Sequence, residues 1–135
     1  MPETSLHPAP QLAIVGNGRL AHALLRTFQN QRVAPLSSRS VTGNSDFFFK
    51  RPPFPLRQLL QLSVNFIWFA VSDSAIASVC QSVAELREGW DGVTVIHSSG
   101  AQSAEILQPM TERGATAMVL HPNASLTGQE KIPAG

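Results

Sequence analysis

The chain has 135 residues, a length for one domain with one core, and its 43% apolar and 14% charged residues are those of a folded protein, which excludes a largely disordered chain. The net charge of +1 divides unevenly: residues 1–60 carry seven basic side chains against two acidic ones, and residues 61–135 carry three against seven. The basic first half favours a phosphate-bearing partner; a nucleotide is preferred, since nothing beyond this charge bias speaks for nucleic acid.

A single cysteine, Cys80, excludes an internal disulfide and suits a reducing compartment. It lies among Ile76, Val79 and Val83, the setting of a buried structural thiol. The N-terminal "MPETSLHPAPQ" has no apolar signal core, and "FIWFAV" at 66–71 falls far short of the ~20 residues a membrane helix needs. The expected location is the cytoplasm, away from membranes.

Residues 1–10, with three prolines, form a lead-in. Leu12 to Val15 is a short apolar run bounded by glycine, suited to a strand buried on both faces. From Arg19 to Gln31 the apolar residues Leu20, Ala21, Leu24, Leu25 and Phe28 recur at helical spacing. Val33 to Ser37 is a weaker strand, because Pro35 lacks the N–H a ladder needs. In residues 40–62 the periodicity fails: a third strand is placed near Phe47 to Phe49 and a short helix over Leu56 to Leu62.

Beyond this gap, Asn65 to Val71 is a strongly apolar strand. Ser72-Asp73-Ser74 supplies caps for a helix with the stripe Ile76, Val79, Cys80 and Val83, and Asp73 is expected to cap it. Val93 to Ile96 is the next strand. Ser103 caps a helix through Ile106, Leu107 and Met110 that Pro109 shortens or kinks. Ala117 to Leu120 is the last strand. Strands alternating with helices predict an α/β fold, a doubly wound and mostly parallel sheet with helices on both faces, in a single domain.

Ligands of such sheets bind at the carboxyl ends of the strands. The small or polar triplets "GNG", "SSR", "SDS", "SSG" and "HPN" all fall there, which selects one edge as the working surface. The first of them opens a glycine motif, Gly16-Asn17-Gly18-Arg19-Leu20-Ala21, between predicted strand and predicted helix. Gly16 allows the tight turn, Gly18 lets the backbone approach a pyrophosphate, and Ala21 is small enough for close packing of helix on strand. The helix N-terminus adds free N–H groups and partial positive charge. A glycine turn with no ligand is the bland alternative.

The residues ending the second strand separate the cofactors. An acid ~20 residues on holds the ribose 2′-hydroxyl of NAD, whereas an arginine accommodates the 2′-phosphate of NADP. Between Glu3 and Asp46 there is no acid, while Ser38, Arg39 and Ser40 lie there, with Arg39 21 residues beyond Gly18. NADP is therefore preferred over NAD, and FAD or methyltransferase sites, which also call for an acid, are disfavoured.

Four ordered blocks, "LAIVGNGRLAHAL", "FAVSDSAIASV", "VIHSSGAQSAEIL" and "GATAMVLHPNASL", together resemble the N-terminal domain of an NADP oxidoreductase family with a Rossmann-like first domain and a helical second domain. That family is similar to the pyrroline-5-carboxylate reductase and 6-phosphogluconate dehydrogenase group. The resemblance covers about residues 11–128 and leaves 40–62 unmatched. It implies an NADP-dependent reductase or dehydrogenase acting on a small carbonyl or imine. The dinucleotide would lie across Gly16, Asn17, Gly18, Arg19 and Leu20, then Ser38 to Ser40, then Val71, Ser72, Asp73 and Ser74. Residues 129–135 stand where the family's helical domain begins, so the alternative expectation is a non-catalytic dinucleotide-binding or partner module. An apolar surface where the helical domain docks would favour a homo-oligomer.

His97 and His121 both end predicted strands, and either could donate a proton to a carbonyl or imine. Anchoring a loop through backbone hydrogen bonds is the competing role for each. Two histidines 24 residues apart without companion ligands make no zinc pattern, so no metal is expected. Ser98, Ser99 and Gly100 could hold the nicotinamide amide or a substrate carboxylate, or could merely satisfy their own loop; Ser98 is a third catalytic candidate. No G-x-S-x-G hydrolase motif is present.

Overall fold

A computed structural model describes residues 12–16, 18–28, 33–37 and 54–121. The predicted lead-in, the strand placed at Phe47 to Phe49, residues Asn17, Ser38, Arg39 and Ser40, and the segment 129–135 lie outside the described residues.

Six strands form one sheet in which every pairing is parallel: β1 Leu12–Val15, β2 Val33–Ser37, β3 Phe54–Pro55, β4 Phe66–Phe69, β5 Thr94–His97 and β6 Thr116–Val119. Their order is β3-β2-β1-β4-β5-β6. The chain thus runs outward from β1 in one direction through β2 and β3, then returns to β4 and runs outward the other way. This is the doubly wound order expected of a Rossmann sheet, with its switch point between β1 and β4.

The apolar runs read as strands because both faces of the sheet are covered. Ala13, Val15, Ile67, Phe69 and Val95 point to one face, where α2 (Ile76–Ala84), α3 (Gln108–Thr111) and a 3₁₀ helix over Leu56–Gln61 pack on them. The alternate residues Ile14, Trp68 and Ile96, neighbours in register, point to the other face under α1 (Arg19–Thr27). Several boundaries differ from expectation by one or two residues. α1 ends at Thr27 rather than Gln31, because Phe28 leaves helical geometry (φ −106°) and places its ring 6.4 Å from that of Trp68.

The third strand is Phe54–Pro55, beyond the stretch where it was expected. It pairs only with Leu36 and Ser37, so Pro35 lies outside that ladder and its missing N–H costs no bond to β3. The segment over Leu56–Gln61 is a 3₁₀ helix, and two other helices begin as 3₁₀ turns, at Asp73–Ala75 and Ala104–Leu107. Ser103 caps the latter as expected, accepting the Glu105 N–H at 3.2 Å. Pro109 sits in the first turn of α3, where its lack of an N–H is harmless.

The amino edge of the sheet is closed by three side chains, Arg87, Arg113 and Trp90. Arg87 donates to the carbonyls of Leu59 (2.6 Å) and Leu62 (2.7 Å), tying down the end of the 3₁₀ helix, and its guanidinium lies 4.4 Å from the centre of the Trp90 ring. Arg113 donates to Ala84 O (2.7 Å) and Arg87 O (3.0 Å), carbonyls at and just beyond the end of α2. Buried Trp90 also donates its indole N–H to Ala84 O at 3.2 Å. These side chains serve as C-caps where the local sequence provides none. Two of the three basic residues of the second half are therefore structural.

Cys80 is fully buried on the α2 face. Burial pushes its thiol up from 9.0 to about 11, against a smaller opposing pull from a hydrogen bond with the Met110 backbone. The native thiol should therefore resist disulfide reagents at pH 8 and label only as fast as the protein unfolds. Above pH 9 the unfolded chain releases this proton while the folded one keeps it, so stability contributed by the neutral thiol is lost as pH rises from 9 towards 11. Denaturation midpoints across that window, compared with Cys80→Ala, should show this decline in the wild type only.

Candidate functional site

The carboxyl edge is built around the end of β1. Gly16 donates its N–H to Leu36 O at 2.8 Å, and Val15 O accepts the N–H of Ala70 at 2.8 Å, so the turn is stitched to β2 on one side and to β4 on the other. Gly16 has φ +138°, and a Cβ there would overlap the Ala70 carbonyl and meet Val71 Cγ1 at 3.5 Å. Only glycine fits this backbone and this gap. The turn thus lies directly against the residues that leave β4, at the switch point of the sheet.

Gly18 is in open space, with nothing within 4 Å of the position a Cβ would take. It is the N-cap of α1 in an extended conformation, with no side-chain cap and no acid in the first turn. The first N–H groups of a helix have no partner within it, so this terminus presents donors and partial positive charge at the edge. Arg19 is exposed beside it and Leu20 half-buried beneath. His22, half-buried one turn on, has its pKa lowered by burial and by the charge of Arg26, which leaves Arg19 as the cation at this end of the helix.

After β4, Val71 is half-buried while Ser72, Asp73 and Ser74 are exposed. The expected side-chain cap by Asp73 or Ser72 is absent. Instead the Ala75 N–H bonds to Ser72 O at 2.9 Å, and the chain enters α2 through the 3₁₀ turn Asp73–Ala75. Backbone geometry has met the need the cap would have served, and the Asp73 carboxylate stays at the surface.

His97 ends β5 with no exposed surface. Its Nδ1 accepts the Ser99 N–H at 3.0 Å, so that nitrogen carries no proton and Nε2–H donates to Ser103 O at 2.8 Å. Both nitrogens clamp the loop 98–103, and neither faces the edge. Ser99 is buried and its hydroxyl oxygen accepts the Ala101 N–H at 3.1 Å. Ser98 is half-buried, and its Oγ accepts the indole N–H of Trp68 at 2.8 Å. Gly100 is exposed, and its Cβ position lies 3.9 Å from Cε1 of exposed His121. The predicted residues Gly16, Gly18, Arg19, Leu20, Val71, Ser72, Asp73, Ser98, Ser99, Gly100 and His121 therefore gather on the carboxyl edge.

Trp68 is the participant that sequence reasoning missed. It sits inside an apolar run and carries the indole that meets Ser98, a pairing across 30 residues with no local signal. Among the described residues no group of three or more His, Cys, Asp or Glu could hold a metal ion, and no helix is long and apolar enough to cross a membrane.

The chain belongs to the Rossmann-like domain family, whose model matches residues 4–122. No curated protein matches the sequence. Among solved structures it is similar in fold to prephenate dehydrogenase from Aquifex aeolicus, with a TM-score of 0.62 at 9% sequence identity. The match covers 91% of this chain and 47% of that one, so this chain spans about half the length of the enzyme.

The two glycines have opposite requirements. Gly16→Ala should destabilise the fold by on the order of 3 kcal/mol, since a strained φ and an overlapped carbonyl must both be relieved. Gly18→Ala, with open space and φ −98°, should cost less than about 1 kcal/mol. Denaturant titrations of the two variants check the contrast.

Proposed function

We propose that this chain is the dinucleotide-binding domain of an oxidoreductase, that its cofactor is NADP rather than NAD, and that it acts with a small carbonyl or imine substrate. The observation that carries the reading is the glycine turn at the β1–β4 switch point beneath an open helix N-terminus. The residues present fit a dinucleotide: Gly16 closes the turn against β4, Gly18 leaves the space in front of α1 open, and the first turn of α1 carries no acid to repel a pyrophosphate. A bound nicotinamide cofactor supplies hydride transfer to or from a carbon centre. The chain's own part is to hold it: α1 N–H groups and Arg19 at the pyrophosphate, Val71 to Asp73 along the β4 side, and Ser98 to Gly100 along the β5 side.

The preference for NADP rests on Arg39, which follows the end of β2 by two residues along the chain. A guanidinium pairs with a 2′-phosphate and stacks on adenine, and Ser38 and Ser40 add hydroxyl donors. The resemblance to the pyrroline-5-carboxylate reductase and 6-phosphogluconate dehydrogenase group supports the same cofactor and reaction class, and the fold shared with a dehydrogenase supports the reaction class alone. The commitment of both His97 nitrogens to the loop favours a second reading, a dinucleotide-binding module that does no chemistry by itself. Under the catalytic reading His121 is the proton donor exposed at this edge.

Calorimetric titration of the full chain with NADPH and NADH tests the proposal. NADPH should bind more tightly, Arg39→Asp should abolish the preference, and Gly18→Ala should weaken both ligands at least about tenfold by crowding the helix N-terminus while leaving the fold intact. Absence of binding by either cofactor at millimolar concentration would refute the reading. Turnover of a carbonyl or imine by the chain alone would exclude the non-catalytic module.

A further inference from the structure

The bond between Trp68 and Ser98 gives the carboxyl edge a directed hydrogen-bond donor. An indole N–H can only donate, so the Ser98 oxygen, 2.8 Å from Trp68 Nε1, must accept. With one lone pair engaged by the indole, the hydroxyl proton points elsewhere, and no acceptor takes it among the described residues. The arrangement is stiff. Trp68 is 7% exposed, is flanked in register by Ile14 and Ile96, and has the Phe28 ring 6.4 Å away. The neighbouring polar groups cannot play the same part, because His97 is wholly buried and Ser99 is buried with its oxygen turned to Ala101.

Ser98 also stands on a defined side of the switch point. Following β5, it lies away from β2, the strand beyond which Ser38 to Ser40 would take the ribose phosphate. A dinucleotide laid across the edge with its pyrophosphate on α1 and its adenosine towards β2 brings its nicotinamide towards β4 and β5. The segment 97–103 contains no lysine or arginine, so it suits a neutral carbonyl oxygen rather than a carboxylate, which would need a compensating charge.

Resting on the dinucleotide reading above, we propose that Trp68 is a positioning residue: it orients the Ser98 hydroxyl as a donor to the carboxamide oxygen of the nicotinamide. Ser98 makes the contact, and Trp68 acts through it by removing the rotamers in which the hydroxyl would accept instead of donate.

The test uses the full chain as wild type, Trp68→Phe, Ser98→Ala and the double variant, each titrated with the reduced dinucleotide that the wild type prefers. Each is also titrated with the corresponding ADP-ribose, which lacks the nicotinamide. Each single variant should weaken the dinucleotide about 3- to 10-fold, the scale of one hydrogen bond, and leave the fragment within about 2-fold. The double variant should be no weaker than Ser98→Ala, because both changes remove one interaction. Equal losses for dinucleotide and fragment, additive losses, or no loss would overturn the proposal. Wild type that binds the dinucleotide and the fragment equally well would overturn it while sparing the dinucleotide reading, whereas wild type that binds neither would end both. Should Trp68→Phe fail to fold, Ser98→Ala against Ser98→Thr, which keeps the hydroxyl, reads the same contrast.

Discussion

The molecule is organised around the missing side chain at Gly16. With a Cβ at that position the end of β1 could not lie against the Ala70 carbonyl, and the stitches from Gly16 N–H to Leu36 and from Ala70 N–H to Val15 would be lost or displaced. Those two bonds hold β2 and β4 on either side of β1, so they set the switch point itself. The same turn aims α1, which makes the open helix end and the crevice beside it consequences of one tight backbone contact.

A division between the two edges follows from the topology. Crossover helices return the chain to the amino edge, where their free carbonyls gather; Arg87 and Arg113 satisfy several of these from far along the sequence, and Trp90 one from six residues on. That edge is a closed structural seam. The carboxyl edge collects glycine, hydroxyl groups and an uncapped helix terminus, groups that interact with a ligand at little cost to the core. Even there the fold keeps some for itself: His97 and Ser99 brace the loop and Ser98 holds the Trp68 indole with its oxygen, leaving its hydroxyl proton and the exposed Gly100 to the edge.

The strands were legible because burial on both faces produces continuous apolar runs, and their boundaries fall within a residue or two of those read from sequence. The glycine turn was legible because a strand, two glycines and an amphipathic helix constrain one another. β3 was not, since Phe54–Pro55 is a two-residue strand among prolines and shows no alternation. The 3₁₀ entries at Asp73–Ala75 and Ala104–Leu107 were hidden because Ser-Asp-Ser and Ser-x-x-Ile look the same whether the first turn is α or 3₁₀. The engagement of His97 at both nitrogens and of Trp68 with Ser98 depends on how loop and strand meet in space, which no local pattern encodes.

Ligand binding at the carboxyl edge of the switch point is measured directly by amide hydrogen exchange with and without NADPH. Protection should appear at Gly16 and Gly18 to Ala21, at Val71 to Ala75 and at Ser98 to Gly100, with no change at the amino edge over residues 85–93 and 113–115. Protection centred on that opposite edge, or an exchange pattern unaltered by saturating NADPH, would contradict it.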